Sequence, residues 1–309
     1  SYVTKECSNL FAYVIERSNA LASEIGQIGM IIPLSAVSTD RMNSLMALIQ
    51  NESGSSHISS YSWRPGKLFD GVNLQLSIVL QNRFERNKTN SIYTSKYILW
   101  DSAAREYLFS KVTYTETEDK TLSGSIPKLG SINAATILKK LRLNRNDLSS
   151  VIVKRSNRKI YYRRGGLYWK VFVDYPTASS EEKIICISES HEIYGIIALL
   201  SSSLWWWYLM STSDCRHLGN RDISSFNIGD ILDNPEIIEL GKKYVDDLRG
   251  NSKDTVRVYK GTNEVKCISF LVNKSKQLID EIDNALAPHY GFTPEELDFI
   301  INYDIKYRM

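Results

Sequence analysis

The run Gly26-Gln27-Ile28-Gly29-Met30-Ile31-Ile32-Pro33-Leu34-Ser35 constrains this chain more than any other stretch. A turn glycine leads into an apolar run without alternation. The run stops at a proline and opens into the polar Ser35, Ser38, Thr39 and Asp40. Such a pattern belongs to a strand covered on both faces. Segments of helical period lie on either side, so the stretch reads as one αβα step of a parallel sheet. Ligands of open α/β sheets sit beyond the carboxyl ends of the strands, which points the Pro33–Asp40 loop at a site. Pattern alone leaves open a buried strand with an ordinary loop.

At 309 residues the chain has room for two domains, each with its own core. Its 43% hydrophobic and 24% charged residues are those of a soluble globular protein. Cys7, Cys186, Cys215 and Cys267 have neither CxxC nor zinc spacing, and His57, His191, His217 and His289 form no HxxxH pair. The expectation is a reducing, cytoplasmic compartment and no structural metal. The first residues show no signal-peptide pattern. Ile193 to Met210 carries no charge over 18 residues, near the lower limit for a membrane span. Gly195 and Ser201-Ser202-Ser203 interrupt it, however. Trp205-Trp206-Trp207 sits inside it and not at its ends, where interfacial aromatics belong. Two buried helices joined near the serines are predicted instead, and no membrane partner.

Helical spacing places Leu10, Phe11, Val14, Ile15, Leu21 and Ala22 on one face of a helix over residues 5–24, and Met42, Leu45, Met46 and Ile49 on a second. Thr39 or Asp40 would cap the second. His57–Trp63 and Ile92–Trp100 read as strands. Val72, Leu74, Leu76, Ile78 and Leu80 alternate with polar residues as one apolar strand face. Arg64–Gly71 is a turn, and Asp101 or Ser102 caps a short helix to Phe109. The polar Thr113–Ser125 ends the first domain. Its Glu118-Asp119-Lys120 resembles the end of a nuclease ExK motif, but it lacks a strand and a partner acid. Helices follow over 132–141 and 234–248, the latter with Asn234 and Pro235 at its start. One long helix is expected over Ile268–Leu286, and a last one opens on the capping box Thr293-Pro294-Glu295-Glu296.

Between Lys139 and Lys170 eleven cations stand against Asp147 alone, interleaved with Tyr161, Tyr162, Tyr168 and Trp169. A basic, aromatic-laced strand pair suits a polyanion, because cations neutralise phosphates while flat side chains and arginine forks reach base edges. The alternative is a solvated charged hairpin. The loop Ser213–Arg221, with Arg216, His217 and Arg221, reads equally as a helix terminator or as a phosphate contact. Lys154, Arg155, Arg158, Lys159, Arg163, Arg164, Arg216 and Arg221 are the expected DNA contacts. No GxGxxG, phosphate-loop or GxSxG pattern occurs, and no Ser/His/Asp or Cys/His arrangement can be ordered.

In order, these segments resemble the second half of an adenine-N6 DNA methyltransferase of restriction–modification systems, the Eco57I/TaqI-like, type IIG-like group. There an Asn-Pro-Pro-Tyr/Phe motif precedes a helix and an apolar strand ending in proline, matched here by Leu10–Ala22 and Gly26–Ser35. The family's loop aromatic before an alternating strand is matched by Lys67-Leu68-Phe69-Asp70-Gly71-Val72. The resemblance implies that Phe69 packs against a flipped-out adenine. Ile126-Pro127-Lys128-Leu129, Trp206–Ser225 and the ending Leu278–Arg308 resemble parts of the family's target-recognition domain and C-terminus.

The implied fold is α/β: the C-terminal half of a Rossmann-like methyltransferase sheet over residues 1–120, then an α+β target-recognition domain with a helical C-terminus over 121–309. The family's cofactor glycine motif and its Asn-Pro-Pro-Tyr/Phe motif do not occur in this sequence and are expected upstream of Ser1. S-adenosylmethionine is thus expected in a parent protein and not on this fragment, which would not transfer methyl groups alone. The expected partners are double-stranded DNA and either the missing N-terminal half or a second copy. The other classes considered are a non-catalytic DNA-specificity or subunit-interaction module, and a complete enzyme of unrelated chemistry, for which no nucleophile, metal site or cofactor loop is in sight.

Overall fold

The computed structural model describes residues 2–51, 54–83, 91–117, 124–165, 169–257 and 265–309. The Glu118-Asp119-Lys120 triplet and Tyr168 lie outside them. Two compact units emerge, Ser1–Thr136 with Met210–Cys215, and Ile137–Leu209 with Arg216–Met309. Both are mixed α/β.

Unit 1 contains α1 (Leu10–Leu21), β1 (Gln27–Pro33), α2 (Asn43–Asn51), β2 (Ser55–Tyr61), β3 (Leu76–Asn82), β4 (Ser91–Ile98) and β5 (Thr115–Glu116). The sheet order is β1-β3-β2-β4-β5. Only β2 and β4 pair in parallel; every other pair is antiparallel. The expected parallel step is therefore corrected. β1 and β2 do run in one direction with α2 between them, but the return strand β3 inserts between the two. That leaves β1 on the edge, and its burial alternates: Ile28 and Ile32 are covered while Ile31 is 50% exposed. In β3, Leu76 is buried and Ile78 partly so, as the alternation predicts, but Ser77, Val79 and Gln81 are buried as well and Leu80 is exposed. Ser77 is tolerated there because it is paired: its hydroxyl and that of Ser60 meet at 3.0 Å.

α2 buries Leu45, Met46 and Ile49, and the 3-10 turn Asp40–Met42 before it buries Met42, as the spacing predicts. Thr39 does not cap; its hydroxyl donates to the Ser35 carbonyl. α1 differs more. It buries Ala12, Ile15 and Asn19, while Leu10, Val14 and Leu21 are exposed. The cause is the separate turn Val3–Cys7, whose Val3 and Thr4 amides and Thr4 hydroxyl all donate to the Glu16 carboxylate, at 2.7–2.9 Å. This tether fixes the rotation of α1. Asp101 caps the short 3-10 helix Ser102–Tyr107 through the Ala104 amide.

Unit 2 is built on a second sheet of β6 (Ile152–Val153), β7 (Lys159–Arg163), β8 (Phe172–Val173) and β9 (Glu182–Ile187), in the antiparallel order β6-β9-β7-β8. The basic strands β6 and β7 are thus not a pair, since β9 runs between them. Around the sheet are α3 (Ile132–Leu143), α4 (Ile193–Ser201), α5 (Ser203–Thr212), α6 (Asn220–Ser224), α7 (Pro235–Gly250), the hairpin β10 (Ser252–Arg257) with β11 (Val265–Phe270), α8 (Lys276–Tyr290), α9 (Pro294–Asn302) and α10 (Ile305–Arg308). The division between units falls within α3 and α5. The single helix expected from Ile268 does not form. Ile268 and Phe270 lie in β11, and the helix starts only at Lys276, after the turn Val272–Ser275. β-branched and aromatic residues favour the strand there, and their spacing happened to continue the helical period.

The predicted break at the serines is present. α4 and α5 meet at a 64° bend, and among the described residues no single helix is long and apolar enough to cross a membrane. Asn234 accepts from the Glu236 and Ile237 amides, and the Thr293/Glu296 capping box is complete. α5 is capped from another helix. Both Asp283 oxygens accept, at 3.1 Å each, from the Ser203 and Leu204 amides, where a helix start favours negative charge. Burial nevertheless raises the Asp283 carboxyl to about 6.

The folded state therefore holds this proton more tightly than the unfolded chain does. Stability should rise as pH falls from about 6 towards 4, by up to about 3 kcal/mol, and be lost again as pH rises through 6. Denaturant unfolding at several pH values should show that slope in the wild-type protein, and Asp283→Asn should abolish it.

Candidate nucleic-acid interface

In unit 1 three strands end together. β1 and β2 both oppose β3 and β4 runs with β2; Pro33 and Tyr61 both pair with Leu76, and Tyr61 with Ile98. The segments after them gather at the carboxyl ends, where open α/β sheets hold their ligands. The loop after β2 is pinned. Arg105 donates to the Lys67 and Leu68 carbonyls at 2.7 and 3.2 Å, and the Gly66 amide to the Trp100 carbonyl at 2.8 Å. Gly66 is needed, because a Cβ would stand 2.9 Å from the Trp100 ring. Phe69 sits on this loop, 46% exposed. A half-exposed aromatic on a fixed loop is a surface for a flat ligand.

The segment after β1 is closed by contrast. Leu34, Ala36, Val37 and Ser38 are buried, and the Ser38 hydroxyl donates to the Leu34 carbonyl at 2.9 Å. That turn is filled by its own side chains and closed by its own hydrogen bond. His57 stacks on Tyr93 at 4.8 Å and meets Tyr114 edge-on at 5.3 Å. Burial lowers its pKa, which favours the neutral ring and a packing role.

In unit 2 the chain between β6 and β7 forms a clamped turn. Glu189 accepts from the Ser156 hydroxyl at 2.8 Å and the Asn157 amide at 3.1 Å. Arg158 pairs with Glu189 at 3.3 Å and Glu192 at 3.2 Å, and also donates to the His191 carbonyl. Arg158 is thus held inside the turn. Lys154, Arg155 and Lys159, on either side of it, are exposed. By alternation Lys159, Tyr161 and Arg163 share a face of the sheet, opposite Cys186, Ile184 and Glu182 of β9. Ile184 is 51% exposed on that face. It is absent from the expected contacts, although a strand with isoleucine at both parities cannot bury them all on one face.

The remaining expected contacts are dispersed. Arg163 donates to the Ile268 carbonyl and lies 5.9 Å from the Phe270 ring. Arg164 and Arg216 are exposed, and Arg221 pairs with Asp222 at 3.5 Å. Two of the interleaved aromatics face inward. Tyr162 is buried against Phe172 at 5.6 Å, and the Trp169 indole donates to the Arg308 carbonyl at 2.7 Å. Their position among cations reflects strand alternation and core packing, not base stacking.

No protein-family model matches the sequence, and no curated protein does. Solved structures do match in shape. One is the ATP-dependent Type ISP restriction-modification enzyme LlaBIII bound to DNA, at 10% identity and TM-score 0.37, covering 95% of this chain and 33% of that one. Another is the DrdV–DNA complex solved by electron cryo-microscopy, at 8% identity and TM-score 0.39, covering 83% and 42%. The chain thus spans 33% and 42% of the length of these two solved chains.

Proposed function

We propose that this chain is the target-recognition part of a site-specific adenine-N6 DNA methyltransferase of a restriction–modification system. The observation that carries the reading is the clamped turn of unit 2, with exposed Lys154, Arg155 and Lys159 beside the sheet face of Tyr161 and Ile184. Cations there neutralise phosphates, and an isoleucine among them suits an apolar base edge such as the thymine methyl. In unit 1, Phe69 on its pinned loop supports the finer part, since a base turned out of its stack needs a flat partner. The open edge of β1 supports pairing with further strands, on which S-adenosylmethionine would sit. Methyl transfer by this chain alone is not expected.

The test is selection from a pool of random duplexes at low and high salt, with sequencing of the bound fraction. Enrichment of one short adenine-containing site, with affinity falling steeply as salt rises, is the expected result; binding without enrichment sinks the recognition role. On the enriched site, a duplex with 2-aminopurine at the target adenine should change its fluorescence on binding. Phe69→Ala should remove that change while shifting stability by no more than about 0.5 kcal/mol, as for other surface substitutions.

A second reading is a non-catalytic specificity or subunit-interaction module. It is favoured by the exposed row Leu10, Val14 and Leu21 on α1, at 79%, 53% and 69%. Under it the row is covered by a second copy. The wild-type chain would sediment as a dimer, and Leu10→Arg with Leu21→Arg would make it a monomer.

A further inference from the structure

The sheet of unit 2 buries one face and leaves part of the other open. Along β9, Ile185 and Ile187 are buried, whereas Ile184 is 51% exposed and Cys186 half-buried. The ladder fixes what shares the open face. Cys186 stands opposite Val153 of β6 and Lys159 of β7, and Ile184 opposite Tyr161. Val153 is 38% exposed. Cover begins at β8, where Val173, opposite Tyr161, is fully buried. The open part is therefore three strands wide, with Val153, Cys186 and Ile184 as an apolar strip and Lys159 beside it.

Single exposed apolar residues need no explanation. Here two β-branched side chains are diagonal neighbours, a thiol completes the strip, and the charges presented beside it are positive. Lys154 and Arg155 continue β6 into the turn and are exposed, as is Lys159. The nearby carboxylates are already bonded. Glu182 accepts from the Thr177 amide and hydroxyl, and Glu189 from the Ser156 hydroxyl and the Asn157 amide. Methyl groups flanked by cations complement a DNA groove, whose walls are phosphates and whose floor carries the thymine methyls. Three strands span about 10 Å, which the major groove, about 12 Å wide, admits and the minor groove, about 6 Å wide, does not.

We infer that Val153 and Ile184 read thymine methyl groups in the major groove, so that the recognised site carries A·T pairs at two positions. Diagonal neighbours on a sheet lie about 7 Å apart, against a rise of about 3.4 Å per base along a strand. Each side chain therefore meets a different base pair. Cys186 lies between them and is covered by the same DNA. This rests on the DNA-recognition reading above and adds which side chains carry the sequence preference.

The test uses the duplex enriched by selection, with each thymine replaced in turn by deoxyuridine, which removes only the methyl group. Wild-type affinity is expected to fall about four-fold at two positions, the weight of one buried methyl each. Ile184→Ser should erase one of these losses and Val153→Ser the other, with the salt slope unchanged and the melting curve within the small range of surface substitutions. Alkylation of Cys186 by iodoacetamide, followed by mass spectrometry, should slow at least ten-fold in the presence of the same duplex. A wild-type chain that enriches no site removes the recognition reading and this inference with it. An enriched site whose deoxyuridine losses are absent, or persist in either variant, overturns the inference alone. Undiminished alkylation of Cys186 does so too. A dimer in sedimentation that Ile184→Ser dissociates would also overturn it, because the strip would then be covered by a second copy.

Discussion

Under the proposed DNA-recognition role, replacing Lys154, Arg155 and Lys159 together by glutamine is expected to lower the affinity for duplex DNA and flatten its dependence on salt. Each phosphate neutralised contributes about 0.9 to the slope of log affinity against log salt, so three lost contacts reduce the slope by about 2.7. Between 50 and 200 mM salt, that difference corresponds to a roughly forty-fold smaller loss of affinity in the variant. The stability of unit 2 should hardly change, because the three side chains are exposed and the turn is held by Arg158 and Glu189. Arg158→Gln gives the contrasting result. It removes the clamp and not a contact, so the turn loosens and affinity falls, while the salt slope drops by less than one contact's share. Fluorescence anisotropy over a salt series separates the two. A triple variant with the wild-type slope would show that the basic turn is a solvated surface.

Parts of this fold are legible because the physics is local. The spacing of Met42, Leu45, Met46 and Ile49 exposes a buried helix face, and Asn234-Pro235 and Thr293-Pro294-Glu295-Glu296 announce helix starts that the structure completes with the named hydrogen bonds. The break at Ser201–Ser203 is similar, since the Ser202 hydroxyl donates to the Leu199 carbonyl and accepts from the Trp205 amide. Strand pairing is not local. Nothing in Gly26–Ser35 tells that β3 will insert beside it, and a strand made an edge by a distant partner keeps its apolar residues but not their cover. Ser77 misleads for a related reason: a polar side chain is read as outward until its partner, here Ser60, is known.

The basic span shows the same limit at the level of function. Eleven cations are visible in the sequence, but their partners are not. Lys140 is engaged by Glu296, 156 residues away, at 2.6 Å, and by the Gly291 carbonyl at 2.7 Å. Lys170 is buried against the Arg164 carbonyl at 3.4 Å. Arg158 and Arg163 hold the turn and the β11 backbone. Composition therefore shows a basic span, whereas only the fold separates cations that build the surface from those presented on it.

Gly241→Ala is expected to be the most damaging single methyl added to unit 2. α4 and α7 pack backbone to backbone at this point. A Cβ on Gly241 would lie 2.0 Å from the Tyr194 carbonyl oxygen and 2.7 Å from its carbon. Both are main-chain atoms within a buried helix pair, so no rotamer change relieves the contact and the helices must separate. Gly195, on the facing helix, is equally confined, with a Cβ 2.4 Å from the Leu232 carbonyl oxygen. Forced separation also opens packing around Ile197, Leu200 and Tyr244, all buried. The cost should exceed about 3 kcal/mol, above the usual range for overpacking and a large share of the stability of an ordinary domain. Gly250, at the end of the same helix, is the internal control. A Cβ there meets nothing within 4 Å, so Gly250→Ala should stabilise by up to about 1 kcal/mol through helix propensity and a less disordered unfolded chain. Denaturant unfolding of the two variants measures both effects. If Gly241→Ala were as stable as the wild type, the close crossing of α4 and α7 would be wrong.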